Sequence, residues 1–312
     1  MTSIASAGAG IPGRPSDRRP ILAAVTDRVL GVLGVGLTDP TGPVLRADDL
    51  GVLRGDGCFE SIRVVDADRG RLDRLDPHLT RLARSAARLD LPAPDLTAWR
   101  ALIGEVLAAW GQPGEAVLRL VLTRGPEGFA DAPRPTGYAI MSPVPAHIAR
   151  HRRDGVRAVT LSRGMPADAA AGAPWLLAGV KTTSYALNMA ALRHARSVGA
   201  DDAIFVSTDG GLLEGPTASV LWAAGGVLHT PPPDPLGILD GTTVRALADR
   251  LAAEPSAPAV RTDTGTVADL HAADGVWLVS SIRLVVEVIE IDGVARRAPA
   301  ELTARLQAAA GL

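Results

Sequence analysis

The apolar residues of this chain fall in short runs broken by glycine, proline and aspartate, and segments with helical spacing lie between them. Val117–Thr123 and Tyr138–Pro143 read as strands, as do Val156–Leu161, Ala203–Ser207, Ala218–Ala223 and Val227–Thr230. Val276–Ser280 and Val285–Ile291 close the series, and Ile21–Val25 and Val29–Leu37 open it. Leu79, Leu82, Ala86 and Leu89 recur every three to four residues, so 76–89 is expected to be a helix, capped by Asp76 ahead of Pro77. Further helices are expected over Leu96–Trp110, Ser184–Val198 (ended by Gly199) and Thr242–Ala252. Such alternation specifies an α/β (α+β) fold. At 312 residues and 47% hydrophobic, the chain has length for about two domains of roughly 150 residues. The expected division is a disordered tail at 1–20, an N-terminal α/β domain at 21–142, a proline-containing linker at 143–153 and a C-terminal domain at 154–312. Ala167–Ala173 is expected to be a loop.

Several function classes fall away on composition. A net charge of −2 offers no basic field for nucleic acid or an anionic membrane. Cys58 is the only cysteine, which fits a reducing compartment, and no signal peptide or membrane span is read, so a cytoplasmic location is expected. Gly8-Ala9-Gly10-Ile11-Pro12-Gly13 matches a dinucleotide fingerprint but follows no strand. His147 and His151 stand four apart like helical metal ligands. Nothing thiol or acidic lies beside them, so no metal site is expected and a solvated surface is the preferred reading.

Of the 32 lysines and arginines, all but Lys181 are arginine. Arginine serves wherever only a positive charge is needed, whereas a desolvated amine can lose its proton and attack a carbonyl. Lys181 follows the apolar run Pro174–Val180 and precedes Thr182-Thr183-Ser184-Tyr185, an expected helix start; both surroundings favour a neutral amine. Leu212-Leu213-Glu214-Gly215-Pro216-Thr217 sets one carboxylate in a loop, either an ordinary turn acid or a partner for a pyridinium nitrogen. Gly237-Ile238-Leu239-Asp240-Gly241-Thr242-Thr243 puts small residues and two hydroxyls at a helix start, which suits a plain cap or a phosphate monoester.

In this order the pieces resemble the class IV pyridoxal-phosphate family of fold type IV, over about residues 45–295. That family includes branched-chain and D-amino-acid aminotransferases and 4-amino-4-deoxychorismate lyases. The resemblance implies a two-domain fold with pyridoxal 5'-phosphate in the cleft, held by the C-terminal domain, and a homodimer. It implies that Lys181 carries the cofactor as a Schiff base and that Glu214 meets its ring nitrogen. His78-Leu79-Thr80-Arg81-Leu82 matches the family's His-x-x-Arg-Leu helix, making Arg81 the phosphate arginine. Thr242, Thr243 and Ser281 are implied phosphate ligands, with Ser280 and Thr217 nearer the substrate. Tyr185 either bonds the cofactor's phenolic oxygen or packs at the helix start. Arg119 either grips a substrate carboxylate, as in branched-chain enzymes, or is a strand-face charge. Two positions depart from the pattern: Ser219 replaces a usual asparagine, and Val244 an arginine. Gly55-Asp56-Gly57-Cys58-Phe59, Leu122-Thr123-Arg124-Gly125 and Ser280-Ser281-Ile282-Arg283 look most like the lyases. Pro126-Glu127-Gly128 stands where D-amino-acid enzymes carry their arginine and histidine pair. The expectation is therefore a lyase acting on a small molecule, with D-amino-acid or branched-chain transamination as the alternative.

Overall fold

The computed structural model describes residues 27–67, 69–128 and 133–312; the expected tail and the strand at Ile21–Val25 lie outside them. The first half of the chain builds a six-stranded antiparallel sheet from β1 (Val29–Val32), β2 (Gly36–Thr38), β3 (Gly57–Asp66), β4 (Arg71–Leu72), β5 (Ala116–Thr123) and β6 (Thr136–Pro143), ordered β2-β1-β6-β5-β3-β4. Side chains alternate between the faces. Leu118, Leu120 and Leu122 of β5 and Cys58, Ile62 and Val64 of β3 enter one core with Leu79, Leu82, Trp99, Ile103 and Val106 from two helices. Each large apolar side chain so buried contributes about 1.5–3 kcal/mol. The opposite face, carrying Phe59, Ser61, Val117, Arg119 and Val121, lines a cavity.

The helix holding the His-x-x-Arg-Leu pattern runs Leu75–Arg88, one residue earlier than expected at its start. Its N-cap is Arg74, at φ 57° and without a side-chain cap bond, so Asp76 and Pro77 lie inside the first turn. Proline is tolerated there because first-turn amides have no helical acceptor. The next helix, Leu96–Ala109, starts from Asp95, whose carboxylate accepts from the amides of Thr97 and Ala98 at 2.9 and 3.0 Å.

The expected linker proves to be mostly a helix, Ala146–Asp154, stopped at Gly155 with φ 80°. Pro143 and Pro145 precede it instead of interrupting it, and its basic last turn complements the helix dipole. The short helix Ala169–Gly172 likewise lies in the expected loop. Beyond Val156 the strands join a second, mixed sheet. It comprises β7 (Val156–Ser162), β8 (Asp202–Val206), β9 (Ser219–Ala224), β10 (Val227–Thr230), β11 (Val260–Thr262), β12 (Gly275–Ser280), β13 (Leu284–Ile291) and β14 (Val294–Ala295). The order is β11-β10-β9-β12-β13-β7-β8, with β14 on β13. β7 runs parallel to β8 and β13, and the centre is antiparallel. Helices Thr242–Ala252 and Ala300–Ala310 seal one face through Leu247, Leu251 and Leu306 against Leu221, Trp277 and Val285. Among the described residues no helix is long and apolar enough to cross a membrane, and no group of three or more His, Cys, Asp or Glu side chains forms a metal cluster.

Candidate active site

Lys181 belongs to neither sheet, yet backbone bonds tie its segment to the start of β3. Phe59 N donates to the Lys181 carbonyl at 3.0 Å and Thr183 N to the Gly57 carbonyl at 2.8 Å. The hydroxyl of Thr183 donates to the Gly55 carbonyl at 2.8 Å. The expected helix start comes later: that helix is Ala186–Ser197, and Tyr185 is its N-cap. Lys181 Nζ lies 4.4 Å from the Phe59 ring centroid and 5.5 Å from that of Tyr185; the two rings meet edge to face. The half-buried lysine faces a cavity of about 1440 Å³ between the sheets. Burial brings its amine down to about 8, aided by the charge of Arg81 and opposed by Glu60 and Glu214. A sizeable neutral fraction thus exists near neutral pH. Burial also holds the Tyr185 phenol protonated, up to about 12.

Glu214 lines the same cavity from the loop after β8. Its carboxylate accepts one backbone bond, from Leu239 N at 3.2 Å. Burial pushes it up to about 7, against that bond and the charges of Arg163, Lys181 and Arg81. A carboxyl so poorly supplied with donors is ready to share a proton with a basic nitrogen.

The third group is a cup of hydroxyls at the start of the Thr242–Ala252 helix. Thr243 Oγ1 donates to Ser281 Oγ at 3.5 Å, and His78 Nε2 lies 3.2 Å from Ser281 Oγ and 3.4 Å from Thr242 Oγ1. Gly241 caps this helix, and a Cβ there would stand 2.6 Å from Ser219 Oγ, so the serine hydroxyl packs close against the bare glycine. Amides at a helix start ringed by hydroxyls suit a phosphate. Val244 points away into the second sheet's core, which accounts for an apolar residue at that position.

Arg81 reaches this region, with most of its donors already engaged. Nε and Nη2 grip the two oxygens of buried Glu60 at 2.8 Å each, and Nη1 donates to the Asp240 carbonyl at 2.8 Å. Glu60 also meets His78 Nδ1 at 2.7 Å. Neither Glu60 nor His78 had been assigned a function from the sequence. Burial alone would raise Glu60, but its bonds to Arg81 and His78 and their charges bring it down to about 2. The signal was present: Glu60 alternates in step with Cys58, Ile62 and Val64, on the face that enters the core.

The expected substrate residues also line the cavity. Arg119 opposes Ser61 across β5 and β3 and is the one exposed residue of β5. Thr217 Oγ1 accepts from Arg283 Nη2 at 2.9 Å, while Ser280 ends β12 at the cavity wall. His147 and His151 line this cavity too; His147 is exposed, in keeping with the solvated-surface reading, whereas His151 is buried, which corrects that reading for it. A nucleophilic amine, a protonatable carboxyl and a helix-start hydroxyl cup on one cavity fit a phosphorylated pyridine aldehyde.

A family model described as amino-transferase class IV matches residues 57–291. The chain is 46% identical over 272 residues to a bifunctional aminodeoxychorismate lyase / D-amino acid transaminase of Mycobacterium tuberculosis, covering 84% of this chain and 90% of that protein. Among solved structures, the PLP-bound form of a hypothetical aminotransferase from Mycobacterium tuberculosis matches with a TM-score of 0.84 at 44% identity, over 91% of this chain and 98% of that one. A fold IV transaminase from Curtobacterium pusillum matches with a TM-score of 0.84 at 40% identity, over 91% and 97% of the two chains.

Proposed function

Because the chain belongs to the class IV aminotransferase family, whose cofactor is pyridoxal phosphate, we propose that it is a 4-amino-4-deoxychorismate lyase releasing p-aminobenzoate and pyruvate. The pairing of Lys181 and Glu214 on one cavity supports the cofactor chemistry, and the 46% identity to a bifunctional aminodeoxychorismate lyase / D-amino acid transaminase supports the lyase. Lys181 would hold the cofactor's aldehyde carbon and Glu214 its ring nitrogen. Thr242, Thr243 and Ser281, with the amides of their helix start, would hold the phosphate. Arg81 keeps spare N–H groups on Nη1 and Nη2 for the same anion while its other donors stay on Glu60 and Asp240. Bound there, the cofactor supplies an electron sink for charge released at the substrate carbon beside nitrogen.

The chain's own residues move the protons. Lys181 Nζ takes the proton from the ring carbon that bears the substrate nitrogen and returns one to the methylene carbon of the departing enolpyruvyl group. One amine thus serves as base and then acid, and a pKa near the working pH suits both roles. Glu214 keeps a proton available at the ring nitrogen. Phe59 and Tyr185 hold the amine in a low-dielectric corner, and Arg119 faces the cavity as an anchor for a substrate carboxylate.

D-amino-acid transamination is the second reading, favoured by the double name of the Mycobacterium tuberculosis relative. The same lysine would then carry the proton from the amino acid's α-carbon to the cofactor carbon that had borne the aldehyde. Trp175, Leu176 and Met189 leave an exposed apolar rim on the cavity, and a homodimer that covers it is part of the proposal.

The test is a coupled assay with pyridoxal-phosphate-loaded protein and aminodeoxychorismate generated in place from chorismate and glutamine. Stoichiometric p-aminobenzoate and pyruvate, lost in Lys181→Arg, are expected. Conversion of the cofactor to its amine form by D-alanine, with no p-aminobenzoate from aminodeoxychorismate, would replace the lyase by the transaminase.

A further inference from the structure

The cavity extends well past the Lys181–Glu214 pair. Tyr185, Asn188, Leu192 and Arg196 line it at three- to four-residue spacing, so one face of the Ala186–Ser197 helix runs along its length. Nine cationic side chains, eight arginines and Lys181, line it against four carboxylates, although the whole chain carries a net charge of −2. Positive charge is therefore concentrated where a ligand enters.

His147 and His151 supply part of that wall. They stand one turn apart on the Ala146–Asp154 helix with ring centroids 5.3 Å apart. His147 is exposed, whereas His151 is only 9% exposed and its Nδ1 has no hydrogen-bond partner among the described residues. Arg152 of the same helix donates to the Ile282 carbonyl at 2.5 Å, pinning the helix to the turn that carries Arg283. Arg283 is buried; its guanidinium bonds Asp202 and donates to Thr217 Oγ1, three residues after Glu214. The pair is thereby connected to the reacting end of the cavity.

The carboxylates nearby are already engaged. Asp201 accepts from Arg157 N at 3.0 Å and Nε at 3.3 Å, and Asp202 is held by Arg283. Arg150, Arg196 and Arg283 all act on His147, and burial together with these charges keeps both imidazoles below their ordinary values. An unpaired polar atom and an excess of cations in a walled space are stabilised by an anion.

We propose that His147, His151 and Arg283, with Arg196 at the outer edge, form a second-carboxylate subsite that selects dianionic over monoanionic substrates. This rests on the reading above, in which the reacting amine sits at Lys181. Two substrate classes present that chemistry: an enolpyruvyl ether with its own carboxylate, and a dicarboxylic amino or oxo acid.

The experiment uses the pyridoxal-phosphate-loaded enzyme and unreactive probes. Calorimetric titration compares glutarate, a dianion, with butyrate, a monoanion of similar length. Wild type is expected to bind glutarate about tenfold tighter or more. In a double variant, H147Q with R196Q, both at exposed positions, the preference should shrink to about threefold or less with butyrate affinity unchanged. Equal binding of the two acids by wild type, or a preference that survives the double variant, overturns the proposal. Neither probe reacts, so the outcome is separate from whether p-aminobenzoate forms. Steady-state kinetics then separate the sources. A KM raised for aminodeoxychorismate at constant kcat marks the enolpyruvyl carboxylate, and a KM raised for 2-oxoglutarate marks the dicarboxylic partner. A double variant that moves neither KM also overturns the subsite.

Discussion

Two glutamates, buried Glu60 on the first sheet and half-buried Glu214 in a loop between strands of the second, have opposite characters. Glu60, on β3, is fully supplied: a bidentate arginine and a histidine hold it ionised, at about 2. Glu214, in the loop after β8, has one backbone donor and is pushed up to about 7. The first is a support, whose energy lies in keeping Arg81 and His78 against the hydroxyl cup. The second is left under-satisfied, which costs stability and makes its proton available. Local satisfaction, more than residue type, separates scaffold from chemistry here.

The largest test of this contrast is Glu60→Gln. It strands the Arg81 guanidinium without a carboxylate and should cost about 3–5 kcal/mol. Urea unfolding of the variant beside wild type measures this, and an unchanged midpoint would erase the distinction. Glu214→Gln should do the reverse. We expect kcat to fall about 10²–10³-fold, while the cofactor-free protein unfolds at the same or higher urea at pH 8.

The pH dependence has opposite signs at the two sites. Glu60 lies below its ordinary 4.5, so its contribution is complete above about 4.5 and is lost as pH falls through about 2. Glu214 lies above 4.5, so the protein is relieved of its charge below about 4.5 and loses stability as pH rises through about 7. Between pH 5 and 8 the cofactor-free Glu214→Gln protein should gain roughly 2 kcal/mol over wild type, allowing for screening at the cavity. The deficit of Glu60→Gln should instead narrow as the pH is lowered from 5 toward 2. Parallel pH curves for the two variants would contradict the contrast. The smallest effect is expected for His78→Gln, which keeps a side-chain amide between Glu60 and the cup. Weakening of cofactor affinity by about five- to tenfold, near 1 kcal/mol, is the anticipated result by fluorescence titration.

Much of this was legible in the residues. The periodic segments locate the main helices and strands within a few residues, because core-facing positions carry nearly all their apolar content. Lys181 stood out as the one cation arginine cannot replace, and the family motifs led to Glu214 and the Thr242–Thr243 cup. Three features escaped for a common reason. Glu60, His78 and His151 are polar residues whose burial depends on elements distant in sequence. Glu60 shares the alternation of the core-facing positions, but the partner that satisfies it, Arg81, lies 21 residues on in another element. The helix at Ala146–Asp154 was hidden by its flanking prolines and by charges on its solvent face, with only Ile148 and His151 turned inward. The Arg74 cap has no side-chain signature at all.

The backbone stitch between Lys181 and β3 also governs when the reactive amine comes into being. Its partners, Gly57 and Phe59, lie more than a hundred residues upstream, so the contact closes a very large loop and forms only as the two halves of the chain come together. Until then the lysine is hydrated and protonated like any other, with a far smaller neutral fraction to capture aldehydes in its surroundings. A nascent or partly folded chain is thus less reactive toward aldehydes, and the amine gains reactivity as assembly completes.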